Sequence, residues 1–183
     1  IGALLTALVV AREWERGTME ALLATPIGRF ELLLGKIVPY FLLGMGSMIL
    51  STAVAVAVFG VPFRGSFLML AVVSAVFMLS ALGQGLLIST ATRNQLVAAQ
   101  ASILSAFLPA FYFSNFVFEV DSMPWPLQVI AWAVPANYYV SSLQTLFLTG
   151  DIWPVLLPDM AALLAISVGF FVLTVLSTRT RLD

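Results

Sequence analysis

Apolar residues in this chain neither alternate nor return every third or fourth position; they run on without interruption. Charge-free stretches extend from Ile37 to Phe63, Gly65 to Thr92, Asn94 to Phe118 and Met160 to Thr178. A helix crossing a bilayer needs roughly 20 apolar residues, since the hydrocarbon core is about 30 Å thick and an α-helix rises about 1.5 Å per residue. Four complete spans are predicted, near 37–60, 66–91, 96–118 and 160–178, with residues 1–11 as part of a fifth. One such run could be the core helix of a soluble protein. Four in succession predict an all-α membrane protein, a polytopic helical bundle. The opening IGALLTALVV carries no Met and no charged leader ahead of its apolar run. It reads as the tail of a membrane helix, the bundle being truncated at its N-terminus, and not as a signal peptide.

The segment from Ser122 to Gly150 is also free of charge, but prolines at 124, 126 and 135 divide it into pieces too short to cross. MPWPLQVIAWAV and PANYYVSSLQTLFLTG are expected as two short helices dipping into the outer interface. Trp125, Trp132, Tyr138, Tyr139 and Trp153 suit that depth, where amphipathic rings settle among headgroups.

Composition supports the class. The chain is 61% hydrophobic and 9% charged, with a mean hydropathy of +1.06, whereas soluble domains are about 25% charged. It has no Cys and no His, which removes disulfides and the usual ligands of zinc and haem. A net charge of −1 offers no basic surface for nucleic acid. Charge does, however, settle sidedness. Arg12, Arg16, Arg29, Lys36, Arg93, Arg179 and Arg181 gather on one side and Arg64 alone on the other, with Glu119, Asp121, Asp151 and Asp159. The basic side is expected to be cytoplasmic, which places residues 12–36, the Arg93 loop and the C-terminus there.

Nearly half of the charges lie between Arg12 and Lys36. On a helical wheel Trp14, Gly17, Thr18, Ala21, Leu22, Ala24 and Thr25 share one half, and Arg12, Glu13, Glu15, Arg16 and Glu20 the other. Arg12–Glu15 and Glu13–Arg16 stand at i,i+3 and Arg16–Glu20 at i,i+4, so signs alternate along the polar face. Met19 and Leu23 interrupt it, one turn apart. Mixed charge with two apolar knobs fits a surface that grips a protein partner; a solvated juxtamembrane helix that merely sets topology is the other reading. Thr25-Pro26-Ile27-Gly28 should break the helix before the chain re-enters the membrane near Lys36.

VVAREWERGTMEALLATPIGRFELLLGK resembles the cytoplasmic coupling segment of ABC-2 type exporter permeases, above all the multidrug branch that works with a separate ATPase. The likeness continues in order through FGVPFRGSF, LGQGLLISTATRNQ, LPAFYFSNFVFEVDSMPWPLQVI and PANYYVSSLQTLFLTGD. The family usually has six helices, with a large periplasmic domain between the first two, and this chain matches from the end of the second onward. The resemblance implies a translocation subunit of the type V exporter kind, which dimerises with an identical or homologous permease. Two ABC ATPase subunits would bind the ATP and magnesium, so that this chain needs no cofactor, and a periplasmic adaptor can join. Arg12, Trp14, Glu15, Arg16, Gly17, Met19, Glu20 and Leu23 are the implied coupling residues. Asn115 stands where related sequences often have Gly, and Val120 where Pro is common.

The predicted spans contain no Asp, Glu, Lys or Arg, which disfavours proton- or sodium-coupled transport and intramembrane catalysis. No GxxxxGK[ST] loop is present, so any ATP is handled by another chain. Small residues recur every four positions along Ala98, Ser102, Ala106, Ala110 and Ser114, along Ala81, Gly85 and Ser89, and along Ser47, Ser51 and Ala55. Such rows pack helices closely, or line a path or a dimer seam. Gln84 and Gln100, the most polar mid-span side chains, either face that path or satisfy a neighbouring carbonyl. Pro109 frees the carbonyl of Ser105 and should bend its helix, as Pro39 should near the start of its own. Phe107, Phe111, Tyr112, Phe113, Phe116 and Phe118 form an aromatic girdle or a wall for substrates. Ala98, Gln100, Ser102, Ala106, Pro109, Phe111 and Phe113 are the candidates for a dimer seam or path.

The function expected is that of a non-catalytic membrane subunit of an ATP-driven exporter, in a bacterial inner membrane, for hydrophobic or amphiphilic compounds such as drugs. Export of a lipid or lipid-linked glycan is the alternative within that class. A non-transporting scaffold, or an accessory subunit of a secondary carrier, is the alternative outside it.

Overall fold

The structure, a computed structural model, describes residues 2–18 and 29–177. Its helices are α1 (Gly2–Glu15), α2 (Arg29–Ala57), α3 (Phe67–Thr92), α4 (Gln95–Tyr112), α5 (Trp125–Trp132), α6 (Pro135–Gln144) and α7 (Trp153–Ser177). Among the described residues there is no strand. Leu34–Ala57, α3, α4 and α7 are each long and apolar enough to cross a membrane. One end of the bundle carries Glu13, Lys36 and Arg93, and is called the basic end. The other carries the exposed rings of Trp125, Trp132 and Trp153 and is called the aromatic end.

Helix α3 is central. Its Ser66 N-cap accepts a hydrogen bond from the Met69 N–H at 3.2 Å, and at the far end Arg93, at φ 49°, gives its N–H to the Ser89 carbonyl. Asn94 at once caps α4, its Oδ1 accepting from the Val97 N–H at 3.1 Å. The turn is thus built from one left-handed residue and one side-chain cap. Val10, Ile37, Leu82 and Leu86 form a core at the basic end, joining α1, α2 and α3. Met69, Leu70 and Val73 meet Leu146 and Leu156 in a second core at the aromatic end. Glycines bring the helices together: a methyl group on Gly85 would collide with the Ala3 carbonyl of α1, and one on Gly83 would press on Phe170 of α7 at 3.2 Å.

Several boundaries differ from those expected. The apolar tail at 1–11 does not end where the charged stretch begins: α1 continues into the first charged residues, to Glu15. Gly17, at φ +69°, then turns the chain in a conformation that costs glycine nothing. Helix α2 starts at Arg29, ahead of Lys36, and Pro39 sits inside it. Helix α4 stops at Tyr112, short of the expected 118. Helix α7 starts at Trp153, ahead of the expected 160, and holds Pro158. Lys36 and Asp159 consequently lie within α2 and α7, towards their ends, whereas α3 and α4 carry no charge along their whole length. Asp159 Oδ2 accepts a hydrogen bond from the Ser142 hydroxyl at 3.2 Å, which gives that carboxyl group a partner in apolar surroundings.

Beyond α4 the chain is held by Asn115. Its φ of 59° lies in the left-handed region, which Gly and Asn enter most readily. Asn115 Oδ1 accepts from the Val120 N–H at 2.7 Å, and its Nδ2 donates to Asn137 Oδ1 at 2.9 Å. The two departures from the related pattern are therefore linked: a Gly at 115 would offer no acceptor, and a Pro at 120 would have no N–H to give. Tyr139 is not part of the exposed aromatic belt. Its ring stacks on Phe77 at 4.1 Å and its hydroxyl meets that of Ser74 at 3.0 Å.

Candidate functional site

Two features of the bundle are built for more than packing, and α1 joins them. The first is the junction at the basic end. Glu13 forms an ion pair with Lys36 of α2, in which both side chains are more than two-thirds buried. The guanidinium of Arg93 lies 4.7 Å from the centre of the Trp14 ring, a cation–π contact that ties the end of α1 to the α3–α4 turn. The Trp14 ring also rests on the core of Val10, Ile37, Leu82 and Leu86, and its buried Nε1 has no hydrogen-bond partner among the described residues. Helix α1 is thereby braced against two neighbours at the point where it leaves the bundle.

This arrangement alters the reading of the charged stretch. Among the described residues the expected pairs Arg12–Glu15 and Glu13–Arg16 are not formed; Glu13 turns to Lys36 instead. The physical reason is screening, since exposed pairs along one helix gain a few tenths of a kcal/mol, whereas a largely buried pair between helices is screened less. Trp14 is partly buried and packs against the core between α1, α2 and α3. Arg12, Glu15, Arg16 and Gly17 are exposed. Met19, Glu20 and Leu23 lie outside the described residues.

The second feature is a cavity of about 460 Å³ among α1, α3, α4 and the start of α6. Leu4, Phe77, Met78 and Phe107 supply its apolar wall, and Gln84 and Ser102 its polar groups. Its size falls within the range of sites that enclose small organic molecules. Helix α4 opens this space through a π-helical turn at Ile103–Phe107, just before Pro109. Pro109 has no N–H to give to Ser105, and Gln84 Nε2 donates to that carbonyl at 2.9 Å instead. Two features noted separately in the sequence, a freed carbonyl and a mid-span glutamine, are thus partners.

The row of small residues on α4 divides by depth. Ala98 is wholly buried against Ala7 and Ala11 of α1, a packing position. Ser102, Ala106 and Ala110 line the cavity. Gln100 is exposed on another face of the helix. Pro109, Phe111 and Phe113 shape the helix end without lining the cavity; Phe111 stacks on Phe107 at 6.2 Å and meets the edge of Tyr112 at 5.5 Å. Sequence reasoning missed Glu13, Lys36 and Arg93 as bracing residues. Their charge was visible, but pairing across elements depends on helix packing.

Four spans, a braced polar junction and an apolar cavity beside the same helix define a polytopic membrane protein of the transporter class. The chain belongs to the ABC-2 family of transporter proteins, whose family model matches residues 1–176. It is 55% identical over its whole length to an Escherichia coli protein named "Probable multidrug ABC transporter permease YbhS", of which it covers 48%. Over 84% of its length it is 29% identical to the E. coli protein named "Probable multidrug ABC transporter permease YbhR", covering 44% of that protein. Over 98% of its length it is 29% identical to the E. coli "Inner membrane transport permease YhhJ", covering 48%. The chain spans about half the length of the curated relatives it matches.

Proposed function

We propose that this chain is the membrane-embedded part of a permease in an ATP-driven exporter, and that it moves hydrophobic or amphiphilic compounds, drugs among them, from the cytoplasm or inner leaflet outward. The observation that carries the reading is α1 itself. Its first residues border the cavity and its last are braced at the basic end, so one rigid rod joins the place where a ligand fits to the segment leading out of the bundle. Family membership and the names of the relatives, which speak of transport and of multiple drugs, support transport as the task.

On this reading the basic end faces the cytoplasm of a bacterial inner membrane. Two ABC ATPase subunits grip the segment after Gly17, and a second permease packs alongside. ATP closes the ATPase pair and displaces that segment. Glu13–Lys36 and Trp14–Arg93 pass the displacement to α2, α3 and α4 together. The chain itself carries out no bond chemistry; it converts motion received at one end into a change of access at the other.

The test is ATP-dependent, vanadate-sensitive dye export by the full-length permease with its ATPase in proteoliposomes. Met19→Asp combined with Leu23→Asp should abolish ATPase association. Trp14→Ala should keep association and ATP hydrolysis but reduce the dye exported per ATP severalfold. Undiminished export by both variants would overturn the proposal.

A further inference from the structure

The hydrogen bond between Gln84 and Ser105 determines more than the shape of α4. A carbonyl oxygen can only accept, so the amide group of Gln84 must turn its NH₂ towards Ser105, and Oε1 is the atom left over. The Gln84 side chain makes no second hydrogen bond among the described residues, and its neighbours on the cavity wall, Phe77, Met78, Ala106 and Phe107, are apolar. The Ser105 hydroxyl is committed to the Ala101 carbonyl at 2.6 Å. Ser102, 1% exposed and with its hydroxyl unpartnered among the described residues, can turn to donate or to accept, so it does not discriminate. Among the described residues no charged side chain lines the cavity, and a charged group entering it would lose its hydration without a counter-ion.

Resting on the export reading above, we propose that this cavity is a binding site for uncharged apolar compounds bearing one hydrogen-bond donor, an N–H or O–H, which Gln84 Oε1 accepts. Pro109 is what makes the site selective. By leaving the Ser105 carbonyl in need of a donor, it holds the amide in a single orientation and exposes an acceptor where a freely turning amide would offer either group. Compounds with the same body and no donor are the ones discriminated against.

The experiment uses the full-length permease with its ATPase in lipid nanodiscs, without nucleotide, titrated with N-phenylnaphthylamine, which has a single N–H, and with its N-methyl derivative, which has none. Fluorescence is read against empty nanodiscs. The N–H compound should bind about fivefold more tightly, the worth of one net neutral hydrogen bond. Gln84→Leu should remove that preference and leave the N-methyl compound unaffected. Gln84→Met, which keeps length and flexibility, should do the same if the Leu variant does not fold. Ala106→Trp, which fills the cavity, should weaken both compounds about tenfold or more. Equal affinity for the pair in the parent protein, a preference that survives loss of the amide, or binding indifferent to Ala106→Trp would each overturn the site. Export in the same preparation is scored separately: a preference without ATP-driven export would overturn the permease reading and leave the site standing, and export without a preference would do the reverse.

Discussion

Helices α2 and α3 are both long, continuous and rich in Leu, Val, Met, Ala and Ser, yet α3 buries twelve residues while α2, among its described side chains, buries Ile37 and Thr52. Their polar side chains behave as differently. From α3, Ser74 reaches Tyr139, Ser80 donates to the Leu163 carbonyl of α7 at 3.0 Å, and Gln84 reaches Ser105 of α4. On α2 the Thr52 hydroxyl stays within its own helix, 3.8 Å from the Met48 sulfur. Leu42, Leu43, Ile49 and Leu50 are each more than 60% exposed. Hydropathy, which both helices share, decides that a segment enters the membrane. It does not decide what the segment touches there, because lipid tails are as apolar as leucine and helices gain nothing from hydrophobicity alone by associating. Close approach at small residues and hydrogen bonds between helices decide that, and α3 has both.

The sharpest way to break this contrast is a matched pair of glycines. Gly85→Ala puts a methyl group into the Ala3 backbone and the Thr6 side chain and should cost about 2 kcal/mol. Gly46→Ala on α2, where a methyl would meet nothing within 4 Å, should stay within about 0.5 kcal/mol of the parent. Thermal unfolding in detergent, followed by tryptophan fluorescence, measures both, and equal losses would remove the distinction between hub and periphery.

A smaller effect is expected where α2 is anchored. Glu13→Ala and Lys36→Ala in a double-mutant cycle should show a coupling energy of about 1 kcal/mol, and the exchanged pair, Glu13→Lys with Lys36→Glu, should recover much of it. A coupling near zero would mean that α1 and α2 are held by apolar contact alone. Smallest of all is the comparison of hydroxyls. Ser80→Ala should cost about 0.6 kcal/mol, the usual worth of a hydrogen bond between membrane helices. Thr52→Val should cost less, since its hydroxyl serves only its own helix. A larger loss at Thr52 would reverse the comparison.

The cavity shows where sequence reasoning stops. Ala98, Ser102 and Ala106 form one uninterrupted row, and nothing in their spacing separates the residue packed on α1 from those facing open space. The separation comes from what stands opposite each residue: Ala7 and Ala11 of α1 cover Ala98, whereas Ser102 and Ala106 border the open space. Pro109 announced a disturbance, and the freed Ser105 carbonyl followed from it by simple stereochemistry. That Gln84, on another helix, would meet this carbonyl was one of two readings open to a polar mid-span residue. Tyr139 was placed in the aromatic belt by its neighbours in sequence, but the direction of a ring depends on the helix face that turns inward, and α6 turns Tyr139 towards Phe77.

What the sequence determined by itself was the class: helices that must lie in a bilayer, their approximate reach, the gathering of basic residues at one end and the family resemblance carried by long ordered stretches. These are properties summed over neighbouring residues, and a sum can be read along a line. The tertiary structure alone decided that α3 is the hub, that Glu13 seeks Lys36 in place of Arg16, that Trp14 packs beneath Arg93, and that the amide of Gln84 meets the Ser105 carbonyl beside a cavity. Each depends on two groups distant in the chain arriving within a few ångströms of one another, and such a meeting is a property of the pair and of no single segment.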